Sequence, residues 1–182
     1  AVFYALMKQT AERQGNDPIP NSLTFIKEIW KAFYPHRWIR LYLIKAPNKE
    51  IVAAGLIFTF GSTVRSWKYG WSGDYREIRP NHFRFWKLIK WSKENKFKYF
   101  DIVQVDPKIA VKLKKKQPLV DQERKQPLFG TTMFKLGFGG DIYHYPGALY
   151  RFYNPLFMII FERFINPLTK SSSLKKLLRK LV

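Results

Sequence analysis

Apolar residues recur at helical spacing over Val2, Phe3, Leu6 and Met7, and the pattern stops near Gly15, which predicts an opening helix. Asn16 to Asn21 reads as a loop. Ser22 then fits the N-cap of a second helix with Ile26, Ile29, Trp30 and Phe33 on one face. That helix must end by Tyr34, because Pro35 follows. Trp38 to Ala46 alternates enough for a strand, and Pro47-Asn48-Lys49 reads as a hairpin turn. Ile51 to Phe60 is an almost unbroken apolar run, the mark of a strand buried on both faces. Thr63 to Trp71 is the next strand and Ser72 to Pro80 a polar connection. Asn81 is expected to cap a helix reaching about Lys96, with Phe85, Leu88, Ile89 and Ser92 inward and Asn95 at its end. A strand is expected over Lys98 to Val105, and a mobile loop or short helix over the lysine-rich stretch Asp106 to Gln126. A further strand is expected near Asp141 to Tyr145. Helices around a hairpin series, with a central helix and a late strand, make an α+β or mixed α/β domain.

Charge changes the picture more than length does. The 182 residues fit one domain of ordinary size, and 46% hydrophobic content is enough for a core. Lysine and arginine number 33 against 13 acidic residues, a formal +20. That excess predicts an anionic partner: RNA, a pyrophosphate-bearing substrate or an acidic membrane surface. The absence of cysteine excludes disulfides, a catalytic thiol and Cys-based metal sites. His36, His82 and His144 are far apart in sequence, and no metal site is expected. No signal peptide is visible, and no apolar run approaches the ~20 residues that span a bilayer. The chain opens at Ala1, inside an expected helix, and so reads as a fragment or a processed product.

Candidate chemistry concentrates in GTTMFKLGFGG, Gly130 to Gly140. Thr131 to Leu136 contains no helix breaker, and Gly137 is expected as its left-handed C-terminal residue. Phe134 and Lys135 would close that helix just before a glycine-rich turn. A lone lysine beside a glycine-rich turn usually solvates a loop, and the sharper reading is a cation presented to charge developing at a carbonyl or phosphate.

The run FGTTMFKLGFGG resembles the motif of the Fem family of aminoacyltransferases, the enzymes that build peptidoglycan bridges, in which Phe-Lys precedes Gly-Phe-Gly-Gly. VAAGLIFTFG is similar to that family's central strand. KYGWSGDYREIRPN is similar to its Tyr-Gly-x-Ser segment, and FRFWKLIKWSKENKFKYFDI to its helix and Phe-Asp strand. The likeness runs from about Phe3 to about Phe152. It implies the second of two N-acetyltransferase (GNAT) type domains over residues 1–153, with a mainly antiparallel central sheet flanked by helices. An apolar segment and a basic amphipathic C-terminal helix would follow over 154–182.

The resemblance implies transfer of an amino acid from aminoacyl-tRNA to an amino group of a peptidoglycan precursor stem peptide, lipid-linked or nucleotide-linked, without a cofactor. It assigns the transition-state role to Lys135, with Phe134 beside it. Tyr69, Ser72 and Arg76, with Gly137 and Gly139, would line the substrate site. Asp101 is read as a loop-holding residue rather than a general base. Lys114, Lys115 and Lys116, in the most charged part of the insertion, are expected to meet tRNA phosphates. Acyl-CoA use is not expected, because Glu77 to Phe83 contains no glycine and Pro80 removes an N–H donor. An acyl-CoA-dependent N-acyltransferase and a non-catalytic RNA- or membrane-surface-binding module are the alternatives. In the tail, Leu174, Leu177, Leu178, Leu181 and Val182 form one helical stripe opposite Lys175, Lys176, Arg179 and Lys180. Such a helix packs on its own domain or lies on an anionic membrane. The expected location is the cytoplasm, peripheral on the inner membrane face.

Overall fold

The computed structural model describes residues 1–126, 128–143, 145 and 151–166. Two compact units are formed, Ala1–Gly139 and Gly140–Val182. In the first, helices α1 (Val2–Arg13) and α2 (Leu23–Phe33) precede strands β1 (Ile39–Lys45), β2 (Ile51–Phe60) and β3 (Thr63–Trp71). Helix α3 (Pro80–Glu94) crosses to strand β4 (Tyr99–Asp101), and helices α4 (Pro107–Lys114), α5 (Asp121–Arg124) and α6 (Phe129–Leu136) follow. The sheet order is β1-β2-β3-β4, antiparallel except for the parallel β3–β4 pair.

Local chemistry explains most of these elements. The Ser22 side chain accepts a hydrogen bond from the Phe25 amide at 3.2 Å and starts α2, as the sequence predicts. Strand β2 is buried along nearly its whole length, because α1 and α2 pack on one face of the sheet and α3 on the other. Phe3, Leu6, Met7 and Ile26 meet Ile39, Ala54 and Leu56 on the first face. Leu88 meets Ile57 and Val64 on the second.

Four expectations need correction. Asn81 does not cap α3: Arg79 holds that place with a left-handed backbone, and the Asn81 side chain turns to the sheet instead. The strand expected over Lys98 to Val105 is only Tyr99–Asp101, because Val103 takes φ 66, which a β-branched residue cannot hold within a strand. Gly137 ends α6 in right-handed geometry, φ −62, and the left-handed positions are Gly139 and Gly140. The described residues between Asp141 and Tyr145 form no strand.

The lysine-rich stretch is ordered into α4 and α5. Asp106 caps α4 through the amides of Lys108 and Ile109, and Lys112 Nζ lies 2.6 Å from a Glu123 carboxylate oxygen, tying the two helices. In the second unit, helix α7 (Pro155–Ile160) is capped by Asn154 and continues into one π-helical turn, Phe161–Ile165. Among the described residues, no helix is long and apolar enough to cross a membrane. The tail over residues 171–182, with its leucine stripe, lies outside the described residues, as does His144.

Candidate active site

Strand β3, helix α3 and strand β4 form a parallel unit, and ligands of such units bind beyond the carboxyl ends of the strands. Here β3 and β4 pair only from Thr63↔Tyr99 to Arg65↔Asp101, after which β3 runs on to Trp71 paired with β2 but no longer with β4. The chain therefore leaves β4 just where the two strands part.

A bulge in β3 shapes the surface at that place. Leu56 faces Lys68 and Ile57 faces Ser66, so Trp67 is the extra residue. Strict alternation would put Ser66 and Tyr69 on opposite faces of the sheet. The bulge brings both to the α3 face, beside Gly55 and Ile57. Trp67 and Lys68 go to the other side, where burial lowers the Lys68 pKa.

Helix α3 places Asn81, Arg84 and Phe85 over this surface. Arg84 is buried, 4% exposed. Its guanidinium lies 4.5 Å from the Tyr69 ring centroid and 4.2 Å from that of Phe85. Its Nη1 donates to Ser66 Oγ at 3.4 Å. A Cβ at Gly55 would lie 3.1 Å from the same nitrogen, so the guanidinium fits tightly above a glycine. Asn81 Nδ2 donates to the Tyr69 hydroxyl at 2.5 Å. Burial pushes the Arg84 pKa down to about 10, which leaves it cationic at neutral pH, and raises that of Tyr69.

Helix α6 supplies the second cation. Thr132, 1% exposed, accepts a hydrogen bond from the Asp106 amide at 2.9 Å. One turn later Lys135 Nζ donates to the Gln104 carbonyl at 2.7 Å. Residues three apart share a helix face, so this pair clamps α6 onto the segment that leaves β4. That segment is strained. Val103 sits at φ 66, held by its amide donating to Asp101 Oδ1 at 2.7 Å. Asp101 also pairs with Arg65 at 3.5 Å, so it braces the turn as the sequence reading expects. Lys135 is half-buried. Burial lowers its pKa most, the nearby Asp101 carboxylate opposes that shift, and the Arg84 charge adds to it.

Phe134 packs edge-on against Phe85 at 5.5 Å, His82 at 4.8 Å and Phe138 at 5.3 Å between ring centroids. These contacts make it part of the aromatic wall beside Lys135. The residues expected at the site thus divide. Lys135, Phe134 and Tyr69 come together around Arg84. Gly137 and Gly139 continue from α6 past Phe138, both exposed. Ser72 and Arg76 belong to a different cluster at the end of β3. There Arg13 donates to the Ser72 carbonyl, Arg76 Nε donates to the Gly73 carbonyl at 3.4 Å, and Tyr75 bonds Asn48 and Glu50. Lys114, Lys115 and Lys116 are exposed around the C-terminal end of α4, where Lys116 takes φ 55. Arg84, Ser66, Thr132 and the Gln104 carbonyl were not singled out by the sequence reading.

The pattern described as the acetyltransferase (GNAT) domain matches residues 1–107 of this chain, more than half of it. The chain belongs to that family. No curated protein matches. Among solved structures, a point mutant of the BH1408 protein from Bacillus halodurans is similar, with 10% identity over 69% of this chain and 73% of that one and a TM-score of 0.42. The GNAT match covers the sheet, α3, β4 and the strained turn, and it makes acyl transfer the general chemistry of this chain. Lys135 and the rest of α6 lie C-terminal to the matched residues.

Proposed function

We propose that this GNAT domain moves an amino acid from aminoacyl-tRNA onto an amino group of a peptidoglycan precursor stem peptide, as the Fem-like motifs imply. The observation that carries the reading is the placement of Lys135: a half-buried ammonium held by one backbone carbonyl where β3 and β4 part. With one N–H on Gln104, two remain for a substrate. In the reaction the acceptor amine attacks the ester carbonyl, forming a C–N bond and an oxyanion. Collapse breaks the C–O bond to the ribose. Lys135 stabilises the oxyanion and passes a proton to the leaving ribose oxygen, and the proton released by the amine restores the ammonium. No protein nucleophile and no cofactor is needed, and the donor is the aminoacyl-tRNA itself.

The direct test supplies the full-length protein with tRNA carrying a labelled amino acid, or with labelled acetyl-CoA, and an amine-bearing stem peptide. The expected product is an aminoacylated peptide from the tRNA only. Acetylated peptide, with tRNA inert, would place the chain among acyl-CoA-dependent N-acyltransferases.

The donor's phosphates need cations, and Lys114, Lys115 and Lys116 stand exposed with their charges outward. Replacing all three with glutamine is expected to reduce the log–log salt slope of aminoacyl-tRNA binding by up to about two units. Equal slope and affinity in the variant would remove these lysines from the interface.

A lipid-linked acceptor places the enzyme in the cytoplasm, peripheral on the inner membrane face. The basic, leucine-striped tail fits that role. Deleting residues 171–182 is expected to reduce co-sedimentation with acidic vesicles while neutral vesicles bind neither form. Equal binding by both forms would assign the tail to its own domain.

A further inference from the structure

Arg84 is a buried cation that the acyl-transfer chemistry does not use. Its Nε is buried and donates to no acceptor. Its Nη1 reaches only a hydroxyl, at 3.4 Å. Both rings that flank it, Tyr69 and Phe85, offer π faces and not a counter-ion. The tyrosine is no anion either, because burial raises its pKa. Among the described ion pairs none includes Arg84, and the Asp101 carboxylate near Lys135 is taken by Arg65. Beside the guanidinium a second buried atom, Asn81 Oδ1, also has no partner. A buried guanidinium without a carboxylate is costly to keep, and a structural role would be served as well by an apolar side chain. The bulge at Trp67 and the glycine at position 55 both make room for it.

We propose that Arg84 anchors a subsite for a substrate carboxylate, held through the Nε edge of its guanidinium, with Asn81 beside it for a neighbouring amide. The single unpaired positive charge matches one monoanionic carboxylate, whose two oxygens fit the flat fork of an arginine. A phosphate would need more donors than this aromatic wall offers. Phe85 is covered by Phe134 and Phe138, at 5.5 and 5.4 Å between ring centroids, which places the subsite beside those two rings. They flank Lys135 in sequence. The carboxylate therefore orients its molecule toward the ammonium.

The test needs neither tRNA nor an acceptor amine, so its failure leaves the proposed transfer reaction standing. N-Acetylglycine, N-acetylglycinamide and inorganic phosphate are titrated into the intact protein while the Arg84 Nε–H resonance is followed by NMR. The acid is expected to shift that resonance saturably and to bind at least about tenfold more tightly than the amide or phosphate. In Arg84→Lys, which keeps the charge and loses the fork, affinity for the acid is expected to fall at least about tenfold. Equal binding of acid and amide, stronger binding of phosphate, an Nε–H resonance unmoved by the acid, or full affinity in Arg84→Lys would each overturn the proposal. The resonance is read in the unmodified protein, so a poorly folded variant does not decide the outcome.

Discussion

Lys135→Ala is expected to lower kcat for aminoacyl transfer by roughly 10²–10³, with little change in KM for either substrate. The reason is the timing of the charge. The oxyanion and the leaving ribose oxygen exist only after attack, so the ammonium contributes little to the ground-state complex. The fold survives the change, because α6 stays clamped by Thr132 and by the packing of Phe134 and Phe138 on Phe85. Lys135→Arg keeps a cation but spreads it over a planar fork. It should recover only part of the rate, since the Gln104 carbonyl fixes a compact ammonium. A KM effect alone would make Lys135 a binding residue.

Gly70→Ala is expected to be the most damaging single methyl group in the described fold. A Cβ at this position would lie 2.3 Å from the Met7 nitrogen and 2.4 Å from the Leu6 carbonyl carbon. Both are backbone atoms, so no rotamer change relieves the clash, and α1 must lift off β3. Lifting it also strains the Thr10 hydroxyl bond to the Trp71 amide, 2.8 Å, and the Arg13 bonds to the Trp71 and Ser72 carbonyls. Overpacking of this kind costs about 3 kcal/mol, and for a chain of this size that is a drop of roughly 6–12 °C in Tm. Thermal unfolding followed by circular dichroism measures it. A change below about 1 kcal/mol would mean that α1 does not pack on β3 as described.

Much of this architecture is legible in the sequence, because it rests on local periods. The helical repeat of Val2 to Met7, the cap at Ser22 and the apolar run of β2 each specify their element without distant partners. The α+β GNAT-type expectation is borne out by the sheet and by the family match. The site is less legible. Lys135 stands out by its glycine-rich neighbours, but its hold on Gln104 joins residues 31 positions apart. The bulge at Trp67 leaves no mark in an apolar–polar pattern, so the shared face of Ser66 and Tyr69 cannot be read from spacing. Arg84 did leave a signal. It lies four residues before Leu88 and eight before Ser92, on the stripe that faces the sheet. A charge within an inward stripe marks a buried ion. The strand after α3 is shorter than its residues suggest, because Val103 carries strand propensity while Asp101 captures its amide and turns the chain.

The central claim is that Lys135 acts as a desolvated ammonium, and the pH dependence of transfer tests it most directly. Burial disfavours the charged form, so its pKa lies below that of an ordinary lysine. The proton-donating form is present below that pKa and is lost as pH rises through it. Single-turnover transfer is measured by rapid quench across alkaline pH, with spontaneous ester hydrolysis subtracted. The account predicts an alkaline fall in rate centred below the ordinary lysine value of 10.5, and its disappearance in Lys135→Arg. A rate that is flat through this range, or an alkaline fall that persists unchanged in Lys135→Arg, would contradict it.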